Sequence, residues 1–348
     1  MTAVFLALLA KSSLVAGLAL TIVWLLTGRS PAERAALLRA AVVLLVALPL
    51  IALAGPDLTI WLAAAPPPPE TLILPAGSVA ASAPALAAPA LSTWFALVWG
   101  LGAAGLLARF GLGILTLARW TRAGEAVSDP AWTAPLARLA GRSRPRLLAT
   151  RRIASPLSWG VPPGVVLIGA AQLNQPRDAE AVMAHELAHI RRRDWLFLAL
   201  SRVATALFWF NLLVWLLQAE LGRLSEEAAD AEALRHVDRE TYARTLLGLA
   251  ADFTPLAATG MTGPARSLAK RINKVMTQRR PVSPRPLAIT VTVGVLLAVA
   301  TPLAAVELSV RDAPAAPQAP VAPPPPLPPL PPLPPVAPLE AALPPLPP

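Results

Sequence analysis

The chain has 348 residues, 55% of them hydrophobic and 14% charged, with a formal net charge of +10 and a mean hydropathy of +0.57. That balance excludes an ordinary soluble domain of this size and points to a membrane protein. The absence of cysteine excludes disulfides and thiolate metal ligands alike.

Four apolar segments are long enough to cross a ~30 Å hydrocarbon core: Val4–Leu26, Leu37–Ala54, Leu91–Leu107 (extending towards Leu117) and Leu287–Val306. The first has no basic n-region, carries Lys11 internally and is followed by Arg29 rather than a cleavage site. It therefore reads as a retained span, with Lys11 snorkelling or facing a neighbouring helix. Arg29 and Arg34 lie between the first two spans and Arg39 at the near edge of the second, which places that connection in the cytoplasm and the N-terminus outside. The Pro/Ala-rich loop 55–90 holds Asp57 and Glu70 but no basic residue, so it is expected outside. Arginines crowd the stretch from Arg119 to Arg285, which is expected at the cytoplasmic face. The positive charge is thus accounted for by membrane topology. No basic helix or aromatic-basic platform supports direct nucleic-acid binding.

Within residues 118–286, two β-like runs, Arg146–Ala149 and Gly164–Ile168, flank a turn region at Ser155–Pro163 and predict a hairpin or small sheet. Such an edge can hold an extended substrate strand, or it can be purely structural. A helix is predicted over Glu180–Arg193, and it carries His185-Glu186-Leu187-Ala188-His189. Histidines four apart share one helical face and can reach one ion. Neutral imidazole suits Zn²⁺, and a catalytic zinc needs a third protein ligand and an open position for water. Glu186, beside the first histidine, is placed to take a proton from that water. A second helix, from about Gln218 to His236, offers Glu226 and Asp230, again four apart on one face. One of these carboxylates can bind zinc while the other orients a liganding imidazole. Glu227 points elsewhere and is expected at the surface, as is His236.

Between the two helices, Trp195–Leu217 is apolar enough to be a span. A straight crossing, however, would put the histidines and Glu226 ~30 Å apart on opposite membrane faces. It would also put the following arginines outside. The segment is therefore expected to enter and return, with Asn211 at the bend.

The motifs together resemble the membrane metallopeptidase family of the β-lactam sensor-transducers, the BlaR/MecR type. The resemblance spans roughly residues 90–305. It rests on Ser155-Pro156-Leu157-Ser158-Trp159-Gly160, Val165–Ile168, the His185 motif running on through Arg191-Arg192-Arg193-Asp194, and Trp209-Phe210-Asn211 with Val214-Trp215. Glu226-x-x-x-Asp230, Tyr242-x-x-x-Leu246-Leu247 and Arg271-Ile272 complete it. Leu212 departs from the family's proline and Ala229 from its cysteine; neither side chain donates a ligand. The resemblance implies His185, His189 and Glu226 as zinc ligands, Glu186 as base and Asp230 behind the ligands. It also implies a cytoplasmic repressor of the BlaI/MecI type as substrate.

The expected architecture is a mainly α, polytopic protein of the bacterial cytoplasmic membrane with four transmembrane helices and both termini extracytoplasmic. Residues 1–117 hold three spans. Residues 118–286 form a zincin-like domain with the embedded segment 195–217, residues 287–306 the fourth span, and 307–348 a Pro-rich disordered tail. The sensor-transducers carry a penicillin-binding domain on that side, and nothing of the kind follows here, so activation is expected by another route. Two alternatives stay open: a non-proteolytic transducer with a vestigial metal site, and a housekeeping membrane protease.

Overall fold

A computed structural model describes residues 2–54, 58–63, 91–141, 144–251, 262–277 and 306–311, with 290, 294 and 298 singly. The expected fourth span, most of the outer loop and nearly all of the tail lie outside the described residues. The architecture is mainly helical with a small mixed sheet. Among the described residues, two helical stretches, Phe5–Leu25 and Thr93–Arg122, are long and apolar enough to cross a membrane.

Helix α1 (Thr2–Leu25) is followed after a short turn by α2 (Pro31–Ala54). A reciprocal capping box starts α2: the Ser30 amide donates to Glu33 Oε2 (3.1 Å) and the Glu33 amide to Ser30 Oγ (3.3 Å). Pro31 at the first helical position loses no hydrogen bond. This cap corrects the expected loop. Arg34 and Arg39 sit inside α2 rather than in a connection, because the helix begins six residues before the hydropathy does. Strand β1 (Leu58–Ala63) pairs with β6 (Val306–Arg311), so the outer loop and the tail both contribute regular structure that composition concealed. The run at 306–311 alternates apolar and polar positions, whereas that at 58–63 is apolar apart from Thr59.

Helix α3 (Leu91–Arg122) exposes Trp94, Val98, Leu101 and Leu112, an apolar face suited to lipid. Strand β2 (Glu125–Ala126) and helix α4 (Pro130–Ala140) lead into β3 (Arg146–Thr150), β4 (Leu157–Trp159) and β5 (Val165–Gly169). The sheet order is β2-β3-β5-β4. Of the hairpin or small sheet expected from the runs at 146 and 164, the sheet forms and the hairpin does not: β3 and β5 are parallel neighbours, and β4 turns back antiparallel onto β5. The connection contains its own short strand, which leaves room for the crossover that a parallel pair needs.

Helix α5 (Ala179–Arg192) lays Val182, Met183, Leu187 and Ile190 on Val166 and Ile168 of β5, with Trp132 of α4 fully buried alongside. Fully burying side chains of this size is worth about 1.5–3 kcal/mol each.

The apolar segment 195–217 is not one helix. Helix α6 (Asp194–Leu207) ends, the backbone turns through Phe208–Asn211, and α7 (Leu212–Ala233) packs back on α6. Asn211 caps α7 by accepting from the Leu213 amide (3.0 Å), while its amide nitrogen donates to Ser12 and Ser13 of α1 (2.9 and 3.0 Å). Trp99 of α3 donates to the Leu207 carbonyl (2.9 Å), and Trp209 donates to the Trp99 carbonyl (3.2 Å). The polar groups of the non-helical turn are thus satisfied within the protein. Gly102 permits the approach, since a Cβ there would lie 2.5 Å from the Trp209 ring. Helices α1, α2, α6 and α7 share one core that includes Leu38, Leu45, Ala204, Phe208 and Leu221. Helices α8 (Arg239–Ala251) and α9 (Thr262–Thr277) close the far side of α5 and α7.

Candidate metal centre

The sheet fixes one face of α5, and small residues at Ala181 and Ala184 let α8 approach another. His185 and His189 are left facing α7. Because the turn at Phe208–Asn211 returns the chain, α7 delivers Glu226 to the same point. One atom from each of His185, His189 and Glu226 lies within 4.8 Å of the others. The two Nε2 atoms are 3.2 Å apart, Glu226 Oε1 is 3.6 Å from His189 Nε2, and Oε2 is 3.7 Å from His185 Nε2. Ligand atoms at tetrahedral corners, ~2.0–2.1 Å from a zinc ion, are ~3.3–3.4 Å apart. Two imidazoles and a carboxylate at these separations fit zinc. Glu186, the next residue on α5, is buried.

The outer nitrogens are occupied, which aims the inner ones. His189 Nδ1 meets Asp194 Oδ2 at 2.6 Å, and His185 Nδ1 meets the Tyr242 hydroxyl at 2.9 Å and Asp230 Oδ1 at 3.3 Å. Tyr242 donates onward to Asp230 Oδ1 (2.7 Å). Arg271 of α9 grips Asp230 through two nitrogens (2.9 and 2.6 Å) and reaches Glu226 Oε2 at 3.0 Å.

Three of these partners, Tyr242, Arg271 and Asp194, stood in the matched motifs without an assigned role. The signal for Asp194 was its position just past the end of α5. Arg193 there adopts a left-handed conformation (φ 56°) and turns the chain back under His189. A non-glycine residue bears roughly 1–2 kcal/mol for that geometry, which the buried Asp194 contacts offset. Arg39 of α2 also joins the cluster, and nothing in the local sequence signalled it.

Two surface assignments divide. His236 is exposed as expected. Glu227 is not a surface residue: its side chain is 10% exposed and paired with Arg223 and Lys274. It does face away from the histidines, but α9 packs over that side of α7 and covers it.

Electrostatics tie the cluster together. Burial alone would lower the His185 pKa, but hydrogen bonds to Asp230 and Glu226 outweigh it and raise it to about 10. Burial would raise Glu226; the His185 hydrogen bond and the charges of His185, His189 and Arg271 instead take it down to about 2. Asp194 is held below the usual carboxylate range, its burial overcome by His189, Arg192 and Arg39.

A chelator-treated sample should therefore have its own pH signature. A group whose pKa is raised on folding stabilises fully below its unfolded value and loses that contribution as pH rises through the folded one. For His185 the loss runs from 6.5 to about 10. The Glu226 contribution is present above 4.5 and is lost as pH falls through about 2. Thermal unfolding after chelation should show a Tm falling between pH 7 and 10. Zinc should restore more stability at the higher pH, because it competes with fewer protons. A Tm of the chelated protein that climbed over this range would contradict the His185 environment.

The family profile described as BlaR1 peptidase M56 matches residues 7–275. The regulatory protein BlaR1 of Bacillus licheniformis is 32% identical over 94 residues, a stretch that covers 26% of this chain and 15% of that protein. With most of its length matched, and the matched region running through both helices of the centre, the chain belongs to the BlaR1 peptidase M56 family.

Proposed function

We propose that this chain is a membrane-embedded zinc endopeptidase that cuts a cytoplasmic protein, and that the substrate is a repressor of the BlaI/MecI type. The observation that carries the reading is the meeting of His185, His189 and Glu226 from two helices, with Glu186 beside the first ligand. Zinc bound there would polarise a scissile carbonyl and acidify a water. Glu186 would serve as the base that accepts the water proton and passes it to the leaving amine. Asp194 and the Tyr242–Asp230 pair hold the two imidazoles in the tautomer that presents Nε2. Arg271 steadies Glu226 against rotation.

Substrate docking falls to β4, not to the inner runs at 146–149 and 164–168. Those runs are β3 and β5, each flanked by strands on both sides, whereas β4 has an open edge among the described residues and packs against α5. An extended peptide added to that edge would run past the metal centre. The site would sit at the inner surface of the bacterial cytoplasmic membrane, with both termini extracytoplasmic. The apolar hairpin of α6 and α7 and the arginine distribution support this placement.

Sequencing of new cytoplasmic N-termini in cells expressing the wild type or Glu186→Ala tests the reading. Cleavage of a winged-helix repressor only in the wild type is expected; identical N-terminal profiles would remove the peptidase. Separately, Asp230→Asn should weaken zinc by about 10–100-fold, as loss of an outer-sphere partner does. Equilibrium competition with a chromophoric chelator measures it, and an unchanged affinity would exclude that role.

A further inference from the structure

We infer that Arg39, on helix α2, is a positioning residue for His189, acting through Asp194, so that the placement of α2 is coupled to the metal affinity of the centre. The inference rests on the zinc reading of that centre.

Asp194 is 1% exposed and lies where α5 gives way to α6. Its Oδ2 meets His189 Nδ1 (2.6 Å) and accepts from Arg192 (2.7 Å). Its Oδ1 accepts from Arg39, which among the described residues is the donor to that oxygen. Arg192 is spread more widely, since it also serves the carbonyls of Ser225 and Ala228 on α7 (3.1 and 3.2 Å).

Arg39 itself is locked in place. Its other terminal nitrogen donates to the Arg192 carbonyl at the end of α5 (3.1 Å), where a cation also suits the helix dipole. Its guanidinium carbon lies 5.0 Å from the centre of the Phe197 ring. The side chain is 14% exposed, so little water can replace the contact.

The other outer partners, Tyr242, Asp230 and Arg271, come from α7, α8 and α9. Arg39 differs in belonging to the helix hairpin α1–α2, from 155 positions earlier in the chain. A hydrogen-bonded carboxylate fixes both the tautomer and the ring plane of the imidazole it accepts from. An axial shift of α2 by ~1.5 Å, the rise of one residue, exceeds what a hydrogen bond tolerates. Such a shift would strip Oδ1 of its donor and free Asp194 to rotate away from His189. Displacement of α2 is thereby converted into a change at a metal ligand without any movement of α5 itself.

Full-length protein in lipid nanodiscs provides the test, with zinc affinity read by chelator competition and folding by thermal unfolding. Arg39→Gln should bind zinc about 10–100-fold more weakly, in the range for loss of an outer-sphere partner, and Asp194→Asn should do the same. The double variant should be little weaker than either single, because both remove one pathway. Leu45→Ala, a fully buried position on the same helix, should lower Tm yet leave zinc affinity unchanged. Arg39→Lys, which keeps the charge without the planar fork, should fall between wild type and Arg39→Gln, and it decides the matter if the glutamine variant is not recovered folded.

Wild-type affinity in the Arg39 variants, additive losses in the double variant, or an equal loss in Leu45→Ala would each overturn the coupling while leaving the zinc site intact. A wild type that bound no zinc would instead remove the metal reading, and this inference with it.

Discussion

Alanine at position 186 is expected to slow peptide hydrolysis by about 10²–10⁴-fold, the range for loss of a general base, while zinc stays bound. The carboxylate of Glu186 is not among the three ligand groups, and α5 is held by Val182, Met183, Leu187 and Ile190 against the sheet. Its removal should leave both histidines in place. His189→Ala should behave differently and lose metal and hydrolysis together, because a ligand is gone and Asp194 is left buried without its imidazole partner. Zinc content and cleavage of a repressor or casein-like substrate, measured on the same preparations, separate the two. Wild-type cleavage by Glu186→Ala would remove the metalloprotease reading.

The second large effect is all-or-none, and it concerns which side of the membrane holds the centre. The chain has no native cysteine, so single cysteines report cleanly. Ser225 and Ala179 lie on the two ligand helices themselves but are each 1% exposed, which disqualifies them as probes. Arg152, before α5, and Glu240, after α7, are exposed. Cysteine at either position should resist a membrane-impermeant thiol reagent in intact cells and react after permeabilisation. A cysteine at Ala76, in the outer loop, should label without permeabilisation. The pairing of β1 with β6 requires residues 58–63 and 306–311 to share a membrane face, in keeping with an outer loop and tail on one side. Labelling of Glu240→Cys from outside, with Arg152→Cys protected, would make the segment 195–217 a true crossing and dissolve the composite site.

The helical spacing of His185 and His189, and of Glu226 and Asp230, was legible because those relations are local: a period of 3.6 puts residues four apart on one face. The bend at Asn211 was legible for a less local reason. A metal site cannot tolerate its ligands on opposite membrane faces, so chemistry overruled hydropathy in that segment. What stayed hidden is long-range. Arg39 reads as a charge that orients a loop until α2 is seen to start at Pro31 and to place the guanidinium on Asp194. Tyr242 and Arg271 reach Asp230 only because α8 and α9 fold back on α7. The small sheet was legible, but not the parallel register of β3 and β5, because two apolar runs around a turn look alike in a hairpin and in a parallel pair. Glu227 was misplaced for a related reason, since a helical wheel gives direction but not what packs there.

The central claim is that one ion bridges α5 and α7 through Glu226 and not through its neighbour. Glu226 Oε1 and Oε2 lie 3.6 and 3.7 Å from the two imidazoles, whereas Glu227 is committed to Arg223 and Lys274. Zinc content per chain should be measured by plasma mass spectrometry on wild type, Glu226→Ala and Glu227→Ala purified in parallel. One zinc in wild type and in Glu227→Ala, with little or none in Glu226→Ala, is the expected result. Zinc retained by Glu226→Ala and lost from Glu227→Ala would contradict it.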